Sequence, residues 1–224
     1  MGFDINEKFE WIVAFFLMVA IAAGSYKLGQ QVSSESVEVK QIDVVLDAGH
    51  GGKDPGKVGV NQALEKDINL AIVKKMEKIL KERKVEVHLT RKEDVLQGSQ
   101  VEDLQKRVEE INAVHPHFVI SIHQNSYSSE EVRGAQTFYQ SDSAEGKAIA
   151  EIMQKHLKAV DVENHRQAKG NSSYFLLNKT EVPTVIVECG FLSNYEEADK
   201  LVNEVYQLQL AEKLADGIME SLQK

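Results

Sequence analysis

From Ile42 onward, brief apolar runs alternate with longer stretches whose apolar residues recur at helical spacing. Leu64, Ile68, Ile72, Met76, Ile79 and Leu80 put one apolar face on a helix running from about Glu65 to Glu82. Val101, Leu104, Val108, Ile111 and Val114 do the same for a second helix. Pro116 ends it, because the residue before a proline is pushed out of the helical region. A third helix is predicted over Ala144 to Val160, with Ile149, Ile152, Met153 and Leu157 inward, and a C-terminal helix carries Leu208, Leu214, Ile218 and Leu222. The short runs at Val44 to Ala48, Val85 to Leu89, Phe118 to Ile122, Gly134 to Tyr139, Tyr174 to Leu177 and Thr184 to Val187 read as strands. This alternation predicts one α/β domain over 42–224, a mostly parallel twisted sheet flanked by helices on both faces.

The N-terminal part follows a different pattern. Trp11 to Tyr26 is apolar apart from Ser25, on all faces of any helix it forms. A span of about 16 to 18 residues is roughly 24 to 27 Å long, enough for a thin bilayer. The expected division is a tail at 1–10, a membrane anchor or signal segment at 11–28 and a linker at 29–41, where Ser33, Ser34, Glu35 and Ser36 leave little to bury. Two outcomes stay open: an uncleaved anchor holding the domain at the outer face of the cytoplasmic membrane, or secretion after cleavage near Ala20-Ile21-Ala22. The leading segment carries Asp4, Glu7 and Glu10 against Lys8, a poor start for a cleaved signal, which favours the anchor.

Composition narrows the rest. The 224 residues carry 42% hydrophobic and 27% charged positions, enough for one domain of roughly 180 residues plus an appendage. A net charge of −9 argues against nucleic acid as a partner. Cys189 is the single cysteine, so no internal disulfide forms, and it reads as a small buried hydrophobe.

Three of the strands lead to polar residues: His50 after Val44 to Ala48, His123 after Phe118 to Ile122, and Glu188 after Thr184 to Val187. In a parallel sheet the carboxyl ends of the strands lie on one edge, where sites usually form. Glycines around His50 let an ion or substrate approach the backbone. A catalytic zinc takes three protein ligands and keeps one open position. His50 and His123 supply two, and Glu65 is the best carboxylate because it opens the helix after the glycine-rich loop; the favourable dipole at that helix end explains it equally well taken alone. Glu188, after a buried run, either pairs with a cation or does acid/base work. His88 reads as structural, His115 and His117 fall at the opposite edge, and His156 and His165 read as solvated.

The blocks Leu46-Asp47-Ala48-Gly49-His50-Gly51-Gly52-Lys53-Asp54-Pro55-Gly56, Leu64-Glu65-Lys66, Leu89-Thr90-Arg91, Ser121-Ile122-His123-Gln124-Asn125 and Val187-Glu188-Cys189-Gly190-Phe191-Leu192-Ser193-Asn194 resemble, in order, the zinc-dependent N-acetylmuramoyl-L-alanine amidases of the Amidase_3 family. The resemblance implies Zn2+ bound by His50, Glu65 and His123, Glu188 as the catalytic carboxylate, and Asn125 near the metal. It implies peptidoglycan as substrate, cut between N-acetylmuramic acid and L-alanine. Gln124 stands where the family more often has a small residue, and is expected to narrow the cleft. Arg166 and Lys169 are candidates for contacting an acidic stem peptide, with surface solvation the alternative. A single domain behind a short apolar segment also looks like the amidases of spore-cortex maturation. The rival functions are a non-catalytic peptidoglycan-binding module on the same fold and another zinc peptidase of wall peptides. The ten residues from Gln124 to Arg133 are too few for an inhibitory helix over the site, which leaves control to expression, location or a regulatory protein partner.

Overall fold

The computed structural model describes residues 13, 15–21, 23–24, 41–95 and 98–224. The chain divides into two compact units, 1–40 and 41–224. In the first unit residues 15–21 are helical, and Phe15, Phe16, Leu17 and Met18 are exposed. Among the described residues no helix is long and apolar enough to cross a membrane. Only part of the expected anchor is described, while the expected tail and residues 29–40 of the expected linker lie outside the described residues.

The second unit is a six-stranded sheet covered by helices on both faces. In chain order it runs β1 (Val44–Ala48), α1 (Glu65–Glu82), β2 (Val87–Leu89), α2 (Gln100–Val114), β3 (Phe118–Asn125), β4 (Gln136–Gln140), α3 (Ala144–Val160), β5 (Lys169–Asn171), α4 (Phe175–Lys179), β6 (Thr184–Phe191), α5 (Tyr195–Val202) and α6 (Glu204–Leu222). The spatial order is β2-β1-β3-β6-β4-β5. The pairings β1/β2, β1/β3, β3/β6 and β4/β5 are parallel, and β4 runs antiparallel to β6. The sheet is therefore mixed, four parallel strands joined to a reversed pair at one side.

Alternate residues along the central strands face opposite ways. Leu46, Ile120 and Val187 pack against Ile72 and Met76 of α1, Met153 of α3 and Leu214 of α6. Val45 and Val119 pack on the other face against Val108 and Ile111 of α2 and Leu176 of α4. Burial on both faces is why these strands read as nearly unbroken apolar runs.

Three expectations need correction. Tyr174 to Leu177 is not a strand: the Asn171 carboxamide oxygen accepts the Ser173 and Tyr174 N–H groups (2.7 and 3.0 Å), turning the chain, and α4 follows. A four-residue apolar run carries too little period to separate the two outcomes. The C-terminal stretch holds two helices rather than one, because Asn203 caps a new start by accepting from Val205 and Tyr206 N–H. Leu208 consequently lies outward, and Leu210, Leu214 and Ile218 face the core. Lastly, β3 and β6 run on past the apolar cores, so His123 and Glu188 sit inside strands rather than beyond them.

α2 starts with a capping box in which the Ser99 hydroxyl accepts the Glu102 N–H and the Glu102 carboxylate accepts the Ser99 N–H. It stops where His115 takes a left-handed backbone (φ 47°) before Pro116. Ser99→Ala is expected to lower stability by about 1 kcal/mol in denaturant unfolding, the ordinary worth of an N-cap.

Candidate active site

β1 ends at Ala48, and Gly49 to Gly52 swing the chain over the carboxyl edge of the sheet. His50 adopts a left-handed backbone (φ 63°), uncommon for a residue with a side chain. Two arginines hold this turn. Arg107 from α2 donates to the carbonyls of Ala48 (2.6 Å) and His50 (2.7 Å), and Arg91 donates to those of Ala48 (2.8 Å) and Gly49 (3.1 Å). Arg107 is itself paired with Asp47 (2.8 Å) and Asp103 (2.7 Å), all three buried. Burial works against a charge on Asp47, but Arg107, Ser121 and Thr90 outweigh it and hold its pKa down at about 2.

Glu65, the first residue of α1, meets both histidines. Its Oε1 lies 3.2 Å from His50 Nε2 and 3.0 Å from His123 Nδ1, and also accepts the Gln124 N–H (3.0 Å). Its Oε2 accepts the Lys57 N–H (2.8 Å). The other His50 nitrogen, Nδ1, bonds Asp54 (2.7 Å), which fixes the ring and leaves Nε2 turned toward Glu65. The two imidazoles meet edge to face with centroids 5.1 Å apart, and one ligand atom from each of His50, Glu65 and His123 fits within 4.8 Å of the others. The backbone must come close for this. A Cβ on Gly49 would lie 2.1 Å from the His123 ring, and one on Gly56 (φ 64°) would strike both Glu65 and His50.

The electrostatics fit a cation at this cluster. Burial opposes charge on both histidines, yet contact with Glu65 raises His123, and Glu65 and Asp54 together push His50 up to about 9. Glu65 is itself buried but held well below the usual carboxylate range by the same two rings. A carboxylate that draws protons onto two imidazoles offers two nitrogens and an oxygen to a metal ion in their place. That donor set fits zinc.

Glu188 lies directly across from His123 in the β3/β6 pairing. It is buried, and Oε2 has no hydrogen-bond partner among the described residues. Burial pushes its pKa up to about 7; His123 counteracts and the Glu65 charge adds to the rise. It opens, with His50, His123 and Tyr174, onto a cleft of about 290 Å³ whose walls come from α2 and α4.

The remaining candidates fall as follows. Asn125 Oδ1 accepts the Ser126 N–H (2.7 Å) where the chain leaves β3. Gln124 does not narrow the cleft: strand alternation turns it to the opposite face, buried, where it donates to Asn69 (3.1 Å). Arg166 stacks over Phe191 beside β4 and β6. His88 bonds Glu110 (2.7 Å), and His156 is half-buried against Glu220 (2.9 Å) rather than solvated. Cys189 is buried, and burial raises its thiol far above the ordinary range. Residues 126–135 turn without forming a helix. The sequence reading missed Asp54, Asn69 and Arg107. Asn69 sits one helical turn after Glu65, within 3.4 Å of its carboxylate and 3.1 Å of the Gly49 carbonyl. That four-residue helical spacing is the signal that was available for Asn69; Asp54 lies in a turn, where spacing carries none.

Residues 44–220 match the family model described as N-acetylmuramoyl-L-alanine amidase, Amidase_3. This chain belongs to that family. The germination-specific N-acetylmuramoyl-L-alanine amidase of Bacillus subtilis is 30% identical over 227 residues, covering 96% of this chain and 95% of the relative. The CwlD amidase of Clostridioides difficile, solved in complex with the GerS lipoprotein, is 36% identical with a TM-score of 0.78, over 81% of this chain and 98% of that one. The catalytic domain of the CwlV amidase from Bacillus (Paenibacillus) polymyxa is also 36% identical, with a TM-score of 0.74 over the same shares. The protein is thus an N-acetylmuramoyl-L-alanine amidase, an enzyme of peptidoglycan, with relatives in spore germination.

Two outcomes follow for this amidase. Asp47→Asn leaves Arg107 short of a partner and is expected to cost about 3 kcal/mol in denaturant unfolding. Because Asp47 has a lowered pKa, its contribution is present above about 3.8 and lost as pH falls through about 2, so the variant shows a flatter acid limb. Gly49→Ala, whose methyl displaces the His123 ring, is expected to weaken metal binding about ten- to a hundredfold in a chelator competition.

Proposed function

We propose that the amidase uses a zinc ion held by His50, Glu65 and His123 to hydrolyse the amide between N-acetylmuramic acid and L-alanine, with Glu188 moving the proton. The observation that carries this reading is the convergence of two imidazoles and a carboxylate on one point with a second buried carboxylate, unpartnered at one oxygen among the described residues, directly across from His123. A zinc ion there supplies Lewis acidity toward water and toward the lactyl carbonyl. Glu188 takes the proton of the attacking water and delivers it to the departing amine of L-alanine. A pKa near 7 suits both transfers at neutral pH. Asp54 keeps the His50 ring turned inward, and Arg107 and Arg91 keep its backbone in place.

The setting belongs to the same reading. An all-round apolar and exposed stretch at 15–21 supports an N-terminal anchor, and with it export to the outer face of the cytoplasmic membrane. The germination-specific relative supports work on spore cortex, and the lipoprotein bound to the Clostridioides difficile relative supports a regulatory protein partner for this chain. Retention of all three ligands and Glu188 disfavours a non-catalytic binding module.

Purified sacculi treated with the zinc-loaded protein should release new L-alanine amino groups without new reducing sugar ends, and a chelator should abolish the release. Peptide fragments lacking that amine would identify a wall peptidase instead. His50→Ala and His123→Ala should each lose the metal. Glu188→Gln should keep metal and fold while turnover falls by about 10² to 10⁴, the usual worth of a positioned acid/base; normal turnover in that variant excludes its role.

A further inference from the structure

We infer that Arg166 is the docking point for a carboxylate carried on the peptide side of the scissile amide. The inference rests on the proposed roles of the metal ligands and Glu188, and adds the substrate's charge to them.

Opposed residues in neighbouring strands share a face. His123 is opposite Glu188 across β3/β6, and Glu188 is opposite Gln136 across β6/β4. These three side chains form a row at the carboxyl edge of β3 and β6. Arg166 continues it, donating from Nη1 to the Gln136 carboxamide oxygen (3.0 Å). Gln136 stands about 4.8 Å across the strands from Glu188, and the guanidinium lies one hydrogen bond beyond Gln136. With the carbonyl carbon held on the His50 and His123 side and the amine receiving its proton from Glu188, the peptide leaves the site along this row. An extended peptide advances about 3.3 Å per residue, so its second or third residue comes level with Arg166.

The guanidinium is built to receive an anion. Arg83, Arg107 and Arg133 each pair with carboxylates, and Arg91 is taken up by four backbone carbonyls. Arg166 pairs with no carboxylate among the described residues, in a chain of net charge −9. It is nonetheless held still: its Cζ lies over the Phe191 ring, 4.7 Å from the centroid, Nε donates to the Arg133 carbonyl (2.8 Å), and Gly134 leaves room beneath it, since a Cβ there would come within 3.3 Å of Nε. Among the described residues Nη2 and the Nη1 proton not given to Gln136 have no partner, which leaves two donors for a carboxylate.

The test uses synthetic muramoyl peptides amidated at the carboxyl of the second residue, of the third, or of neither. For the zinc-loaded protein, one amidation is expected to lower kcat/KM about tenfold or more, chiefly through KM. Arg166→Gln should bring that acid-to-amide ratio close to one, and Arg166→Lys should keep part of it. Indifference of the unmodified protein to both amidations, or an unchanged ratio in Arg166→Gln, overturns the assignment. Should Arg166→Gln fail to fold, the ratios of the unmodified protein and of Arg166→Lys decide the matter. Calorimetric titration of the released peptides, acid against amide, reads the same preference without turnover. A charge preference in binding with no hydrolysis refutes the amidase mechanism and retains Arg166; hydrolysis without preference does the reverse.

Discussion

The buried pair of Arg107 and Asp47 is the interaction on which the site depends. Where the chain turns at Gly49 the carbonyls of Ala48 and His50 take arginine donors instead of a neighbouring strand, and a buried carbonyl left unbonded costs about 1 to 3 kcal/mol. Arg107 satisfies two such carbonyls, Ala48 and His50, and only a residue with several fixed donors does this from one position. A buried guanidinium in turn requires compensation, which Asp47 supplies from the adjoining strand and Asp103 from the same helix. His50, the first candidate metal ligand, is thus set by a helix on one face of the sheet.

The second ligand comes from the opposite face. Glu65 opens α1, which packs with α6 and the Leu46 side of the sheet. The two faces meet at the carboxyl edge, where Glu65 reaches both imidazoles. The difference between the two carboxylates, Glu65 and Glu188, is a matter of partners. Glu65 is buried against two imidazoles and backbone N–H groups that hold its pKa down, whereas Glu188 is buried with one oxygen unpartnered among the described residues and has its pKa raised. One site thereby holds two glutamates in different states.

The reversed β4/β5 pair extends this edge beyond the metal. Because β4 is antiparallel to β6, Gln136 near its start, not its end, stands beside Glu188. An all-parallel continuation would have put the other end of β4 there. The mixed sheet therefore decides what the departing half of a substrate meets.

Much of this was legible in the chain. A polar residue following a buried apolar run is visible without a structure, and it singled out His50, His123 and Glu188; the start of an amphipathic helix singled out Glu65. Burial on both faces made the strands and the α/β class readable, and strong helical period gave α1 and α3 their limits. Short or polar elements were not readable: α4 is five residues long and β5 three, too brief for any period to show. Nor was the direction of Gln124, because one step along a strand reverses the face and the strand's true end was hidden. The contacts that hold the site together, Arg107 with Asp47 and His50, join positions 60 and 57 residues apart. Local pattern reflects what each segment must bury, and so it determined the class of fold and singled out the candidate ligands; which donors meet which carbonyls is decided only when separate elements pack, and so it belonged to the tertiary structure.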